Sequence, residues 1–306
     1  MRISVEFPSV AFREGPEKVG ELARGIEAIG FDDLAVFDHV VMGHPTEQRP
    51  APRYPSNMPI LEAFATLAFA AAVTSRVTLS TEVLVLPQRQ PVLVAKQVST
   101  IDTLSGGRMR LGVGVGWQEA EYEALGEDFS NRGRRMDESI ELLRACWGDE
   151  RIDASGDRFS ADAIAMEPKP PQAGRLPIWV GGAAPAALRR AGRLGDGWMA
   201  VTGDDERLGR SITTVRDHAA EAGRDPDALG FQAMLAPPPT DAEGKGFYRD
   251  HDRVARRAEV LAGLGFDTVA VNATAVFQSG ARNVDAMLDE LGQLHGRLRA
   301  TVGTPA

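Results

Sequence analysis

Apolar and polar positions along this chain alternate with two periods, and the two periods take turns. The clearest stretch is 76–117. Val77, Leu79, Thr81, Val83 and Val85 occupy every second position, with Thr78, Ser80 and Glu82 on the opposite face, which is the period of a strand. Pro87 closes the run, and Pro91 stands at a first helical position. Val94, Val98 and Ile101 follow at helical spacing, and Ser105, Gly106 and Gly107 stop the helix, glycine being the residue that takes the left-handed C-terminal position. Met109, Leu111, Val113 and Val115 then alternate again, with Gly112, Gly114 and Gly116 between them. Strand, helix and strand with a short return is the unit of a parallel sheet.

The rest of the chain repeats this rhythm. Strands are predicted at 2–7, Asp33–Phe37, Pro177–Val180, Gly197–Val201, Leu229–Leu235 and Thr268–Asn272. Helices are predicted at Glu17–Ile29, Pro59–Val73, Arg132–Trp147, from Pro185 to Gly195, Asp205–Ala222, Asp252–Leu264 and Asn283–Leu298. The helix ending at Val73 is apolar nearly all round and is expected to be deeply packed. One joint recurs: Gly30-Phe31-Asp32-Asp33-Leu34-Ala35-Val36 echoes Gly265-Phe266-Asp267-Thr268-Val269-Ala270-Val271, and Gly195-Asp196-Gly197-Trp198 is a looser copy. Duplication and convergence on good helix-to-strand chemistry both account for the echo.

The fold class is therefore α/β, a (β/α)8 TIM barrel in one domain over 1–306, with an open doubly wound sheet as the alternative. Insertions follow strand two (His39–Met58) and strand seven (Ala236–Asp250), and another, with a hairpin, precedes strand five (Gly148–Arg175). His39–Met58 and Ala236–Asp250 lie at the carboxyl ends of strands, where barrel active sites sit, and Met42, Tyr54, Met58, Phe247 and Tyr248 are expected to form a partly apolar wall there.

Composition narrows the function. A net charge of −9 argues against nucleic acid as a partner, and no apolar run reaches the ~18 residues of a membrane span. Met1 leads straight into a strand, so no signal peptide is visible and a cytoplasmic location is expected. The single cysteine, Cys146, lies in an apolar helical pattern and reads as packing. There is no nucleophile elbow, phosphate-binding Walker loop or metal-ligand cluster.

Candidate chemistry gathers at strand ends. Asp38-His39 closes strand two, where a histidine can donate to a ring oxygen or act as a general acid. Glu82 closes strand three and reads as a general base, a cofactor contact or a rim charge. The glycines at 112, 114 and 116 miss the dinucleotide fingerprint; they clear room for a flat ligand or for close packing. Gly181-Gly182 before a helix start suits phosphate, or is a plain turn. Glu6 and Arg110 occupy interior faces and are expected to pair across the barrel.

Taken together, LSGGRMRLGVGVGW, LVLPQRQPVLVAKQ, FDHV, PIWVGG and LGDGW resemble the luciferase-like flavin and deazaflavin oxidoreductases, most closely their coenzyme F420-dependent branch. The resemblance implies a usually dimeric barrel with the tricyclic ring at its carboxyl mouth and a small-molecule substrate. It implies hydride transfer with F420; alternatives are FMN-dependent oxygen insertion fed by a separate flavin reductase, and a non-catalytic flavin-binding barrel. It implies a non-proline cis peptide at Glu82–Val83, next to Thr81, forming a bulge behind the ring, although relatives carry a small residue where this chain has Glu82. It places Asp38 and His39 beside the ring as the catalytic pair, and Gly114, Val115, Gly116, Gly181 and Gly182 in the phosphate-contacting loops.

Overall fold

The computed structural model describes residues 1–201, 203–237 and 244–305. Eight parallel strands close on themselves: β1 (Arg2–Glu6), β2 (Asp33–Val36), β3 (Thr78–Thr81), β4 (Met109–Gly114), β5 (Ile178–Gly181), β6 (Gly197–Ala200), β7 (Gly230–Met234) and β8 (Thr268–Asn272). Each pairs with the next, β8 pairs with β1, and all pairings are parallel. The barrel is therefore closed, and the open-sheet alternative does not apply.

The helices around it are α1 (Pro16–Ile29), α2 (Ala63–Val73), α3 (Pro91–Ser105), α4 (Glu119–Ala124), α5 (Arg132–Gly148), α6 (Pro185–Leu194), α7 (Asp205–Glu221), α8 (His251–Gly263), α9 (Ala273–Ser279) and α10 (Val284–Val302). The expected hairpin is present as Ile152–Ser155 against Ser160–Ile164. Two short helices, α4 and α9, were not expected, and α2 begins four residues later than its apolar pattern because Glu62 caps it by accepting from Ala65 N. Strand three does not run through to Val85: β3 stops at Thr81, a cis peptide joins Glu82 to Val83, and pairing with β4 resumes at Leu84–Val85.

The period of two divides each strand cleanly. Ile3, Val5, Leu34, Val36, Leu79, Leu111, Val113, Ile178, Val180, Phe231, Val269 and Val271 are buried against the helices, where each fully covered aliphatic side chain contributes roughly 1.5–3 kcal/mol. The other face lines the lumen and is largely polar. At the amino-terminal end of the barrel Arg2 Nη2 reaches Thr78 Oγ1 at 3.1 Å across the start of β2. Arg110 on β4 donates to Gln232 Oε1 on β7 at 2.8 Å, and Gln232 Nε2 donates to Glu82 Oε1 at 2.6 Å. Neither pair joins neighbouring strands, so both bonds cross the lumen. Below them Trp179 fills the floor; a Cβ at Gly197 or Gly230 would lie 2.5 or 2.2 Å from its ring, and the Arg110 guanidinium stacks 4.4 Å above it.

The expected Glu6–Arg110 pair is not formed. Arg110 instead sits 3.7 Å from Asp33 and bonds Gln232 and Ser80, while Glu6 accepts from Thr274 Oγ1 at 3.2 Å. The register explains this: Arg110 pairs with Ser80 in the middle of the barrel, whereas Glu6 is the last residue of β1.

The echoed joint has one mechanical meaning. Asp32, Asp196 and Asp267 each turn a carboxylate oxygen onto a backbone N–H of the neighbouring strand: Ile3 at 2.7 Å, Ile178 at 2.8 Å and Phe231 at 2.6 Å. Gly30 and Gly265 adopt left-handed φ of 104° and 101°, while Gly195 in the looser copy is extended.

Candidate active site

His39 lies just past β2, 7% exposed. Its Nδ1 is 3.0 Å from Glu121 Oε2, and the other Glu121 oxygen accepts from Val40 N and Val41 N. Glu121 belongs to α4, so the element after β4 clamps the loop after β2. Burial pushes the Glu121 carboxyl up, but His39 and the two amides outweigh it and hold it below the usual range. With Nδ1 engaged as donor to a carboxylate, Nε2 is the ring nitrogen left for a ligand. Gln118 tightens the same clamp, accepting from Gly43 N at 2.7 Å and donating to Val41 O at 2.9 Å. Tyr54 and Trp117 stand edge-on to His39, with centroids 5.9 and 5.4 Å away.

Asp38 has both oxygens engaged by protein: Oδ1 by Arg89 Nη2 at 2.7 Å and Oδ2 by Val85 N at 3.0 Å. Burial raises its pKa against the opposing pull of Arg89 and the Val85 amide. This geometry ties the end of β2 to the segment after the bulge. Asp38 thereby positions its neighbour His39.

Glu82 and Val83 lie at the same end of the barrel. Glu82 Oε1 is held by Gln232, while Oε2 is closed off from solvent with no partner among the described residues. Burial pushes Glu82 up to about 7 against the opposing influence of Arg110 and Gln232. Burial and then the charge of Glu82 push Glu6 up to about 8. Thr81 is fully buried and donates to Gly112 O at 2.6 Å, so its hydroxyl faces β4.

The glycines of β4 serve packing. A Cβ at Gly112 would lie 2.1 Å from Thr81 O and 2.8 Å from Met199 Sδ. One at Gly114 would lie 2.6 Å from Val83 Cγ2, and one at Gly116 would lie 2.6 Å from Val85 Cγ1. One at Gly181 on β5 would lie 3.0 Å from Val83 Cγ1. The irregular end of strand three occupies this room, which favours close packing of the two readings of the alternating glycines. Val115 and Gly182 are anchored through their carbonyls, which accept from Tyr122 OH at 2.8 Å and Trp198 Nε1 at 2.7 Å.

Phe247 and Tyr248 are core residues and not mouth walls. They are 2% and 5% exposed, and the Tyr248 hydroxyl donates to Leu235 O and accepts from Asn272 N. Residues 238–243 of that insertion lie outside the described residues. Sequence reasoning missed Glu121, Gln118 and Gln232. Glu121 stands among Glu119, Glu123 and Glu127, a run that reads as a solvated face, and only its tertiary contact sets it apart.

The carboxyl mouth thus carries a clamped histidine with an aromatic wall, a polar lumen below it and a glycine-flanked strand end. The luciferase-like monooxygenase family description matches residues 6–306, and the chain belongs to that family; it is an oxidoreductase of the luciferase-like type. An uncharacterized protein of Mycobacterium tuberculosis is 37% identical over 213 residues, 66% of this chain and 72% of that one. The F420-dependent glucose-6-phosphate dehydrogenase of Nocardia farcinica is 30% identical over 234 residues, 74% of this chain and 66% of that one. Among solved structures, an F420-dependent secondary alcohol dehydrogenase in complex with an F420-acetone adduct superimposes with a TM-score of 0.78 at 20% identity, covering 97% of this chain and 99% of that one. A long-chain alkane monooxygenase does so with 0.76 at 14%, covering 99% and 96%. Both likenesses bear on the fold alone.

The residues present fit a phosphate-bearing ring cofactor. Helix α6 begins at Pro185 with no side-chain cap, exposed Ala183 and Ala184 precede it, and Gly182 turns the chain with φ 116°. Uncapped N–H groups at a helix start suit an anionic tail. Among the described residues no group of side chains could hold a metal ion, and no helix is long and apolar enough to cross a membrane.

Proposed function

We propose that this protein is an F420-dependent oxidoreductase that passes a hydride to or from a small organic substrate. The observation that carries the reading is the His39–Glu121 clamp beside the β4 and β5 ends, in a chain 30% identical to an F420-dependent glucose-6-phosphate dehydrogenase. When bound, the deazaflavin supplies the hydride chemistry.

The protein's own residues bind, orient and handle the proton. The N-terminus of α6 and the Gly181-Gly182 turn receive the phosphate-bearing tail. Val83, set against Gly114 and Gly181, would support the ring. Tyr54 and Trp117 restrict water at His39. His39 gives or takes the proton at Nε2 while Glu121 fixes the tautomer through Nδ1.

Purified full-length chain equilibrated separately with F420 and with FMN, followed by dialysis and thermal unfolding, tests this. Selective retention of F420 with a raised melting temperature is expected, because a ligand that binds only the folded state stabilises it. Selective retention of FMN would replace the proposal with an FMN-dependent monooxygenase fed by a flavin reductase. Tight retention without turnover on any alcohol or carbonyl substrate would reduce it to a cofactor-binding barrel.

A further inference from the structure

Among the described residues, five ionisable side chains turn into the barrel lumen. Arg2 and Arg110 are cationic; Asp33, Glu6 and Glu82 are acidic. Arg2 and Arg110 both neighbour Asp33, at 3.0 and 3.7 Å, which leaves one positive charge for two carboxyls. That charge does not contact either carboxyl. It reaches Glu82 through the Gln232 amide, whose Oε1 accepts from Arg110 and whose Nε2 donates to Glu82. Among the described residues, the Thr274 hydroxyl alone donates to Glu6. Among the described residues Glu82 Oε2 has no partner, and it is closed off from solvent. Two carboxyls withdrawn from bulk water, with one positive charge between them that touches neither, cannot both ionise at neutral pH.

We propose that Glu6 and Glu82 together hold one exchangeable proton at neutral pH, and that this carboxyl pair is a second proton-handling site of the mouth, separate from His39. The other titratable groups facing the pair do not take the proton away. Tyr248 has its hydroxyl committed to Leu235 O and Asn272 N, and Tyr54 is a phenol raised by burial and by Glu6. Gln232 fixes the polarity of the column, since its amide can donate to Glu82 only while its oxygen faces Arg110. The ligand class this favours is a carbonyl or alcohol, a group whose oxygen gains or loses a proton as its carbon is reduced or oxidised. That last step rests on the proposed function; the proton itself does not.

The test uses the full chain without cofactor. Carbon-13 NMR of labelled glutamate side chains, followed from about pH 5 to about pH 9, is expected to show carboxyl titration well above the ordinary range near 4.3. Unfolding over the same range is expected to show stability falling as pH rises, about tenfold in the folded-to-unfolded ratio per pH unit for each proton held. Glu82→Gln removes one acid and balances the lumen, so the Glu6 transition moves down by more than one pH unit. A Glu6 transition that stays in place in Glu82→Gln, or glutamates that all titrate in the ordinary range, overturns the proposal. Should Glu82→Gln not fold, the wild-type titration alone decides. Failure to bind F420 with the high titration intact sinks the functional reading and leaves this proton in place.

Discussion

His39 Nδ1 and Glu121 Oε2 meet at 3.0 Å across 82 positions of sequence, and the same carboxylate gathers the amides of Val40 and Val41. A side chain from α4 thus orients both the ring and the backbone that carries it. Replacing Glu121 by Gln keeps the size but removes the charge and frees the imidazole tautomer. Turnover is expected to fall by one to two orders of magnitude, about what loss of an outer partner of a functional histidine costs, with cofactor affinity little changed. Equal losses in turnover and cofactor affinity would mean that Glu121 merely holds the loop.

Asp38 is 4% exposed and pairs with Arg89, itself largely covered. Asp38→Ala leaves a buried guanidinium without its main counter-charge, although Glu62 at 3.3 Å remains. Removing one member of a buried pair costs about 3–5 kcal/mol, and a loss near the lower end is expected in denaturant titrations. Asp38→Asn keeps a partner for the Val85 amide and should lose less.

Gly114→Ala sets a methyl group against Val83 and is expected to destabilise by about 1–3 kcal/mol through overpacking. Gly263→Ala, at the end of α8 with nothing within 4 Å of its Cβ, is expected to be neutral or to stabilise by up to about 1 kcal/mol. Melting curves of the two variants side by side check the contrast.

Glu27 caps the turn entering β3. Burial works against its charge, but the amides of Val77, Arg76 and Ser75 hold it at about 2. A carboxyl depressed in the folded state contributes stability above its unfolded range and loses it as pH falls through about 2. Glu27→Gln should therefore be less stable than wild type at neutral pH, and the gap should close in acid. A gap independent of pH would contradict this.

The periods of two and 3.6 made all eight strands legible, because the strands bury one apolar face under the helices and most of the longer helices carry an apolar stripe. The Gly-Phe-Asp joints were legible for the same reason: a local task repeated in the same local letters. The lumen was not. Arg110 and Glu6 were visible as buried charges, yet their partners, Asp33, Gln232 and Thr274, are fixed by which strands face one another and at what height. The glycines of β4 kept two readings because the side chains that need the room, Val83 and Val85, come from a bulge that alternation cannot reveal. His39 was found from its place at a strand end, while Glu121 was hidden in an acidic run.

The hydrocarbon of this protein forms a ring-shaped layer between strands and helices, and the lumen inside it is wired with guanidinium, amide and carboxyl groups. Cohesion and reactivity consequently occupy opposite sides of the same peptide ribbon. Exchanging lumen residues in matched charge sets offers a way to retune the chemistry of the cup while leaving the outer sleeve that keeps it shut untouched.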